Sequence, residues 1–507
     1  MNQPANVAPP PTSTRRPSVV RNSLWNFAGQ LLPLALAAVA IPVLIHHLGV
    51  DRFGVLTLVW ILVGYFSLFD FGIGRAVTKL LAEKIALRDS EGAANLVWTA
   101  IACMLLLGVC FGGVLFALAP WLTHSALKIP AALQSEVLRS LLWLAVAVPF
   151  VTLTSGLRGM LEAQQNFAAV NALRVAFGFI SYLAPLAVLP FSRSLYPIVL
   201  TLAVARLANC ALHFAVCRRC VTGFSFDVTW DKAAFRALIG FGSWLTVSNI
   251  VGPVMVYLDR FVIGSVVSIS AVAYYAAPFD AVTKLWLVPA ALSGVLFPAF
   301  SEALAVEDHP RTTSLYERSL ASTFAILFPS ILGIVLFARE GLTLWLGADF
   351  AGRSTVVLQI LAIGVFTNSL ANMPYALLQA SGRPDLTAKL HLIEVPCYLA
   401  LLYWGVRMRG IEGAALAWTI RLSAEAVVLF FFLRAVLAPR LWMTMGAGAA
   451  ALLLATLVSG LGLKILFFVA IVGLFTAITW HWALDAPSRT RMRTLLKAVP
   501  ILPKANA

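Results

Sequence analysis

Residues 412–433 read EGAALAWTIRLSAEAVVLFFFL. A run of that length reaches across a bilayer core, which takes about 20 apolar residues in a helix. Besides Glu412 at its edge, two positions well inside it, Arg421 and Glu425, are nevertheless ionisable. Working outward, Arg206, Asp280 and Lys284 also fall well inside apolar segments. Each charge at the centre of a membrane helix costs roughly 2.5–3.5 kcal/mol. Five of them facing lipid would cost on the order of 15 kcal/mol, as much as a whole domain's stability. The pattern therefore implies many crossings with charges turned to a polar interior, as a transporter requires.

Bulk composition agrees. The chain has 507 residues, 60% of them hydrophobic, with a mean hydropathy of +0.89. Residues 1–22 are Pro-rich, carry Arg15, Arg16 and Arg21, and contain no apolar run. That reads as a disordered cytosolic tail and not as a signal peptide. The six cysteines lie mostly in apolar segments, so no extracellular disulfide framework is indicated. Cys217 and Cys220 have Cys-x-x-Cys spacing without a second pair or adjacent histidine ligands, and read as incidental.

Apolar segments place fourteen spans near 25–47, 53–73, 95–118, 138–160, 171–190, 196–217, 241–263, 271–299, 319–338, 355–377, 387–406, 412–433, 441–460 and 464–484. With the amino terminus inside, inner segments carry 22 lysines and arginines and outer segments 9, the other six of 37 lying within spans. This bias puts both termini in the cytosol. No connecting segment is long enough for an extramembrane domain. Prolines at 33, 42, 149, 185, 253, 289, 329, 374 and 396 interrupt the spans. They serve packing geometry, or they kink helices around a cavity.

The chain also resembles itself. Ser23-Leu24-Trp25 recurs as Gly242-Ser243-Trp244, Leu161-Glu162-Ala163 as Leu378-Gln379-Ala380, and Arg206-Leu207 with Arg219 as Arg421-Leu422 with Arg434. Offsets of 215–219 in a constant order imply a six-plus-six duplication. Six spans per half is even, so the halves share orientation about an axis along the membrane normal. The expected fold is an all-α polytopic membrane protein. Its N-terminal six-helix bundle covers 23–220 and its C-terminal six-helix bundle 238–435, related by a pseudo-two-fold axis. Two additional helices follow in 440–485, then a basic cytosolic tail, 486–507.

Three acid–base pairs sit four apart: Arg158 with Glu162, Asp280 with Lys284, and Arg421 with Glu425. One helical turn separates the members, so each pair shares a face. They either neutralise themselves for insertion or line a cavity. Arg206 and Arg421 occupy equivalent places in the two halves. An arginine fork suits phosphate oxygens, so both are candidate contacts for an anionic substrate, unless they pair with Asp259 or Glu394. Arg158, Lys284 and Arg260 are further substrate-binding candidates. Asp280, Glu425 and Asp259 are candidates for ion coupling, since burial favours the protonated carboxyl. His213, one turn beyond Asn209, relays protons or simply packs. No phosphate loop, zinc signature or nucleophile elbow is present, so neither a metal nor a cofactor is expected.

Several short motifs then carry a resemblance. Phe53-Gly54, Asp70-Phe71-Gly72 and Leu258-Asp259-Arg260-Phe261-Val262-Ile263-Gly264 are followed by Leu296-Phe297-Pro298, Leu344-Trp345-Leu346-Gly347 and Leu378-Gln379-Ala380-Ser381-Gly382-Arg383-Pro384. As an ordered set over about 20–435 they resemble the oligosaccharide flippases of the polysaccharide transporter family, within the superfamily of multidrug and toxin exporters. Ala273-Tyr274-Tyr275 departs from the usual pattern, which has a glycine shortly before the tyrosine. The resemblance implies a bacterial inner-membrane protein moving an undecaprenyl-diphosphate-linked oligosaccharide from cytosolic to periplasmic leaflet. Implied partners are membrane lipids, the glycosyltransferases that build the unit and a polymerase or ligase that uses it; none is a nucleic acid. Three alternatives stay open: a multidrug exporter, a lipid-linked peptidoglycan precursor flippase, and an enzyme such as a glycan polymerase or ligase. The first should show an acid-dominated cavity, and the last a large periplasmic loop.

Overall fold

A computed structural model describes residues 19–68, 72–221, 224, 229–433 and 439–478. Helix is the only regular structure among them. In chain order the helices are α1 (Val19–Leu48), α2 (Val50–Leu68), α3 (Ile73–Ala86), α4 (Ser90–Trp121), α5 (Ala131–Ala163), α6 (Phe167–Val188), α7 (Leu195–Cys220) and α8 (Lys232–Val266). There follow α9 (Ile269–Val282), α10 (Leu287–Ala305), α11 (His309–Leu336), α12 (Ala338–Leu346), α13 (Ala348–Ala380), α14 (Pro384–Phe432), α15 (Pro439–Ala455) and α16 (Leu461–Ile478). Eight of the described helical stretches are long and apolar enough to cross a membrane. The protein is thus an all-α, multi-pass membrane protein.

Three details depart from the sequence reading. First, α1 begins at Val19 and takes in the end of the expected tail, while residues 1–18 lie outside the described residues, as does the basic tail after 485. Second, α3 and α12 are short amphipathic helices that hydropathy alone does not reveal. In α3, Ile73, Gly74, Ala76, Val77 and Leu81 are buried while Arg75 and Lys79 are exposed. Third, the chain reverses inside α14 at Arg409 and Gly410, the glycine having φ 54°. On either side of the reversal the two helical arms touch backbone to backbone: a Cβ on Gly405 would sit 2.7 Å from the Gly413 carbonyl oxygen, and one on Gly413 would overlap the Gly405 carbonyl. This hairpin separates residues 387–406 from 412–433.

Element lengths repeat at the offset of the sequence motifs. Helices α5 and α13 are both 33 residues long, and both of their ends lie 217 positions apart. The starts of α6 and α14 are likewise 217 apart. The pair α2 and α3 matches the broken pair α9 and α10, residue 50 to 269 and residue 86 to 305.

Contacts divide the chain into two units. Unit 1 takes the described residues of Met1–His47, Asp70–Gly112 and Trp143–Gly242. Its core joins α3, α4, α5 and α7 through Val77, Leu81, Val97, Met104, Leu157, Met160 and Cys217. Close backbone approach tightens it: Thr78 Oγ1 donates to the Gly159 carbonyl at 3.1 Å, and a Cβ at Gly112 would meet the Ala145 oxygen at 2.6 Å. All six cysteines are free thiols.

Unit 2 takes Leu48–Phe69, Gly113–Leu142 and the described residues of Ser243–Ala507. Here first-half segments pack on second-half helices. A Cβ at Gly54 of α2 would overlap the Ile269 carbonyl oxygen at the start of α9, so only glycine allows this approach. The Lys128 backbone N–H donates to the Gly264 carbonyl at 2.9 Å, and its Nζ donates to the Val266 carbonyl, placing a cation on the carboxyl end of α8. Arg52 clamps Glu136 with two nitrogens at 3.0 and 3.1 Å. Helices α15 and α16 dock on α11 through Phe324, Phe328 and Phe475. A Cβ on Gly448 would stand 2.7 Å from the Phe324 ring.

The outer edge of that dock carries a pH-dependent contact. Lys464 Nζ lies 2.8 and 3.0 Å from the Glu340 carboxylate oxygens, and this bond holds the Glu340 carboxyl below its ordinary value of 4.5. A depressed carboxyl contributes stability above its unfolded-state value and loses it as pH falls through the folded-state value. The half-exposed pair is worth less than about 1 kcal/mol after solvent screening. Thermal melts are expected to show a small extra loss below pH 4.5, absent in Glu340→Gln.

Candidate functional site

The ionic residues inside the apolar spans gather into three places, two in unit 2 and one in unit 1. The first lies at the end of α8. Asp259 and Arg260 are 0% and 1% exposed. Arg260 Nη2 donates to Asp280 Oδ1 at 2.8 Å, and its Nη1 stands 3.8 Å from Asp259 Oδ1. Asp259 also accepts from the Arg260 backbone N–H at 2.7 Å and from the Tyr275 hydroxyl. The guanidinium lies over the Phe279 ring at 4.3 Å and the Tyr257 ring at 5.1 Å. One cation thus serves two carboxylates, wrapped by aromatic faces that tolerate it.

This arrangement corrects one expectation. Asp280 does not pair with Lys284. The α-helix ends at Val282 and tightens to a 3₁₀ turn at Thr283–Trp286, which holds Lys284 and changes its rotation relative to Asp280. Arg260, twenty residues earlier, takes the carboxylate instead. Lys284 is exposed and has no ion-pair partner among the described residues.

The second place is the hairpin of α14. His391 and Glu394 lie before the reversal, Arg421 and Glu425 after it. His391 Nδ1 is 3.3 Å from Glu394 Oε2, and Arg421 Nη1 is 3.7 Å from Glu394 Oε2 and 3.9 Å from Glu425 Oε2. Arg421 also meets Met255 Sδ of α8 at 3.7 Å and stands 5.4 Å from the Tyr398 ring. Glu394 and Arg421 are more than nine-tenths buried, yet Glu394 Oε1 and Arg421 Nε have no hydrogen-bond partner. Ligand atoms of His391, Glu394 and Glu425 lie within 4.8 Å of one another. A divalent ion there would be repelled by the Arg421 guanidinium already between the carboxylates, whereas a proton fits the count of two acids to one arginine.

The third place is in unit 1. Arg158 Nε sits 3.6 Å from Glu162 Oε1 in a half-exposed pair. Arg206 lies with Cζ 4.0 Å over the Phe177 ring of α6. Arg174, one turn before Phe177, is exposed. Neither Arg174 nor Arg206 has a carboxylate partner among the described residues. His213 Nδ1 is 2.9 Å from its own helix's Asn209 carbonyl, the local geometry of a packed helical histidine.

Sequence reasoning singled out neither His391 nor Arg174 and met Glu394 only as a possible partner. The signal for the first was a His-x-x-Glu spacing inside an apolar run, two residues that share a helix face. Bringing that face onto Arg421 required the hairpin.

With this geometry in hand, the similarities are informative. Residues 19–304 match the family described as "Polysaccharide biosynthesis protein". A Shigella flexneri protein assigned as an O-antigen transporter is 32% identical over 412 residues, 81% of this chain and 97% of the relative. The solved lipid II flippase MurJ, in its inward closed conformation, superposes with a TM-score of 0.71 at 12% identity, covering 90% of this chain and 99% of that one. An inward-facing multidrug resistance transporter of the MATE family gives 0.69 at 15% identity, covering 81% and 97%. The two structures share the fold.

Proposed function

The chain belongs to the polysaccharide biosynthesis protein family, and from that premise we propose that it flips a lipid-linked oligosaccharide across a bacterial inner membrane for surface polysaccharide assembly. It is a transporter of polysaccharide precursors and not an enzyme. The observation that carries this reading is the 32% identity to an O-antigen transporter along nearly its whole length. The physics agrees: a hydrated glycan and diphosphate need ionic side chains inside apolar spans, while the lipid tail stays in the bilayer.

In this proposal the carrier is undecaprenyl diphosphate, and fourteen crossings form two six-helix bundles followed by two appended helices, with both termini cytosolic. Support comes from the repeated element lengths and from the α14 hairpin, which makes two crossings of one helical stretch. Glycosyltransferases and a polymerase or ligase act before and after the step. Asp259, Asp280 and Glu425 carry ion coupling, because each cluster holds two carboxylates against one arginine. Arg206 contacts the anionic substrate, whereas Arg421 is engaged by Glu394 and Glu425.

Deleting the gene and assigning lipid-linked intermediates to leaflets tests the function. Accumulation in the cytosolic leaflet is expected. Normal translocation with unpolymerised product would overturn the flippase reading in favour of a polymerase. In the complemented strain, Arg206→Ala at normal protein level is expected to lower surface polysaccharide at least about tenfold, as loss of a charge-assisted contact requires.

A further inference from the structure

The repeat matches the unit 1 cations to the α14 cluster in sequence, residue for residue. At the offset of 217 shared by the starts of α6 and α14, His391 corresponds to Arg174 and Glu394 to Phe177. At the offset of 215 that relates Arg206 to Arg421, Glu425 corresponds to Cys210. The geometry repeats as well. Arg421 approaches Glu394 at 3.7 Å, and Arg206 lies 4.0 Å over Phe177, the equivalent position. One local site therefore occurs twice, with its carboxylates in unit 2 replaced by a phenyl ring and a thiol in unit 1.

The replacement reverses the site's charge. With histidine neutral, the unit 2 copy has two acids and one arginine, a net of −1. The unit 1 copy has two arginines and no acid, a net of +2. Phe177 holds Arg206 by its ring face and takes none of its five N–H donors. Arg174 shares the Phe177 face of α6, one turn away. Asn171, Arg174 and Ser181 make a polar stripe along α6, and Arg206, Asn209 and His213 make another on α7, against which α6 packs. Stripes of that kind do not face hydrocarbon.

We propose that Arg174 and Arg206 form a diphosphate clamp in unit 1, and that the duplicated site has diverged so that one copy takes the anion and the other the coupling proton. The inference rests on the flippase reading and adds Arg174 as a substrate contact. Two guanidinium forks with no carboxylate partner among the described residues match the charge of a diphosphate, and each can bind its oxygens through two nitrogens.

The test uses the full chain in phosphatidylcholine nanodiscs, with inorganic pyrophosphate as probe. Arg174→Gln and Arg206→Gln are each expected to weaken binding about ten- to a hundredfold. Arg174→Lys, which keeps the charge, is expected to stay within about tenfold of wild type. Unchanged pyrophosphate binding by Arg174→Gln would overturn the proposal. So would loss of pyrophosphate binding when phosphatidylglycerol is added, which would make the occupant a lipid headgroup. Complementation of the deletion strain separates this inference from the function beneath it. If wild type restores translocation and Arg174→Gln at equal protein level does so fully, the clamp is wrong and the flippase stands. If wild type fails to restore it, the flippase reading falls, whatever binds pyrophosphate.

Discussion

Replacing Arg421 by methionine is expected to destabilise the protein by about 3–5 kcal/mol, the cost of removing one partner from a buried ionic group. The substitution keeps an unbranched apolar stem of similar reach, so lost packing contributes little. Among the described residues, what it removes is the one guanidinium paired with Glu394 and Glu425, whose side chains are both 9% exposed. Two carboxylates would then face each other and His391 in a low-dielectric hairpin, with Glu394 Oε1 already lacking a hydrogen-bond partner. Adding Glu394→Gln and Glu425→Gln to the same chain is expected to recover most of the loss, because amides leave no charge to compensate. Thermal unfolding of the purified variants measures both steps. A single variant as stable as wild type would mean that the cluster is neutral without its arginine.

Gly54→Leu is expected to abolish surface polysaccharide in a complemented deletion strain and to lower the melting temperature. A Cβ at this position overlaps the Ile269 carbonyl oxygen, a backbone atom that cannot rotate away. Helices α2 and α9 must then part, breaking the packing that also sets Lys128 on the carbonyls of Gly264 and Val266. Forced overpacking of this kind costs typically 1–3 kcal/mol. The internal control is Gly64 on the same helix, where a Cβ meets open space and Gly64→Ala should be silent. Equal export by Gly54→Leu and wild type at matched protein level would show that the close approach is dispensable.

Much of this architecture was legible because the lipid phase simplifies the code. Apolar runs mark helices. The Arg158–Glu162 and Arg421–Glu425 spacings read correctly as shared faces, since both lie on regular helix. Asp280 and Lys284 did not, because Lys284 lies in a 3₁₀ turn that begins at Thr283 and changes the rotation per residue, and hydropathy does not register it. Amphipathic α3 escaped for a related reason: its buried residues are interleaved with Arg75, Lys79 and Lys84, so its average falls well below that of the spans. Glu394 is 27 residues from Arg421 in sequence, and only the reversal at Arg409–Gly410 makes them neighbours.

Helices α4 and α5 each run through the boundary between the two contact units, at Gly112–Gly113 and Leu142–Trp143. Just inside unit 1 they are clasped at Gly108 and Gly112, against Pro149 and Ala145. Backbone this close leaves no room for the two helices to slide past each other at the clasp. At 1.5 Å per residue, twenty residues make a lever of about 30 Å, and a ten-degree rock at the clasp swings its tip by about 5 Å. Bulkier side chains at Gly108 or Gly112 would force the two helices apart at the clasp.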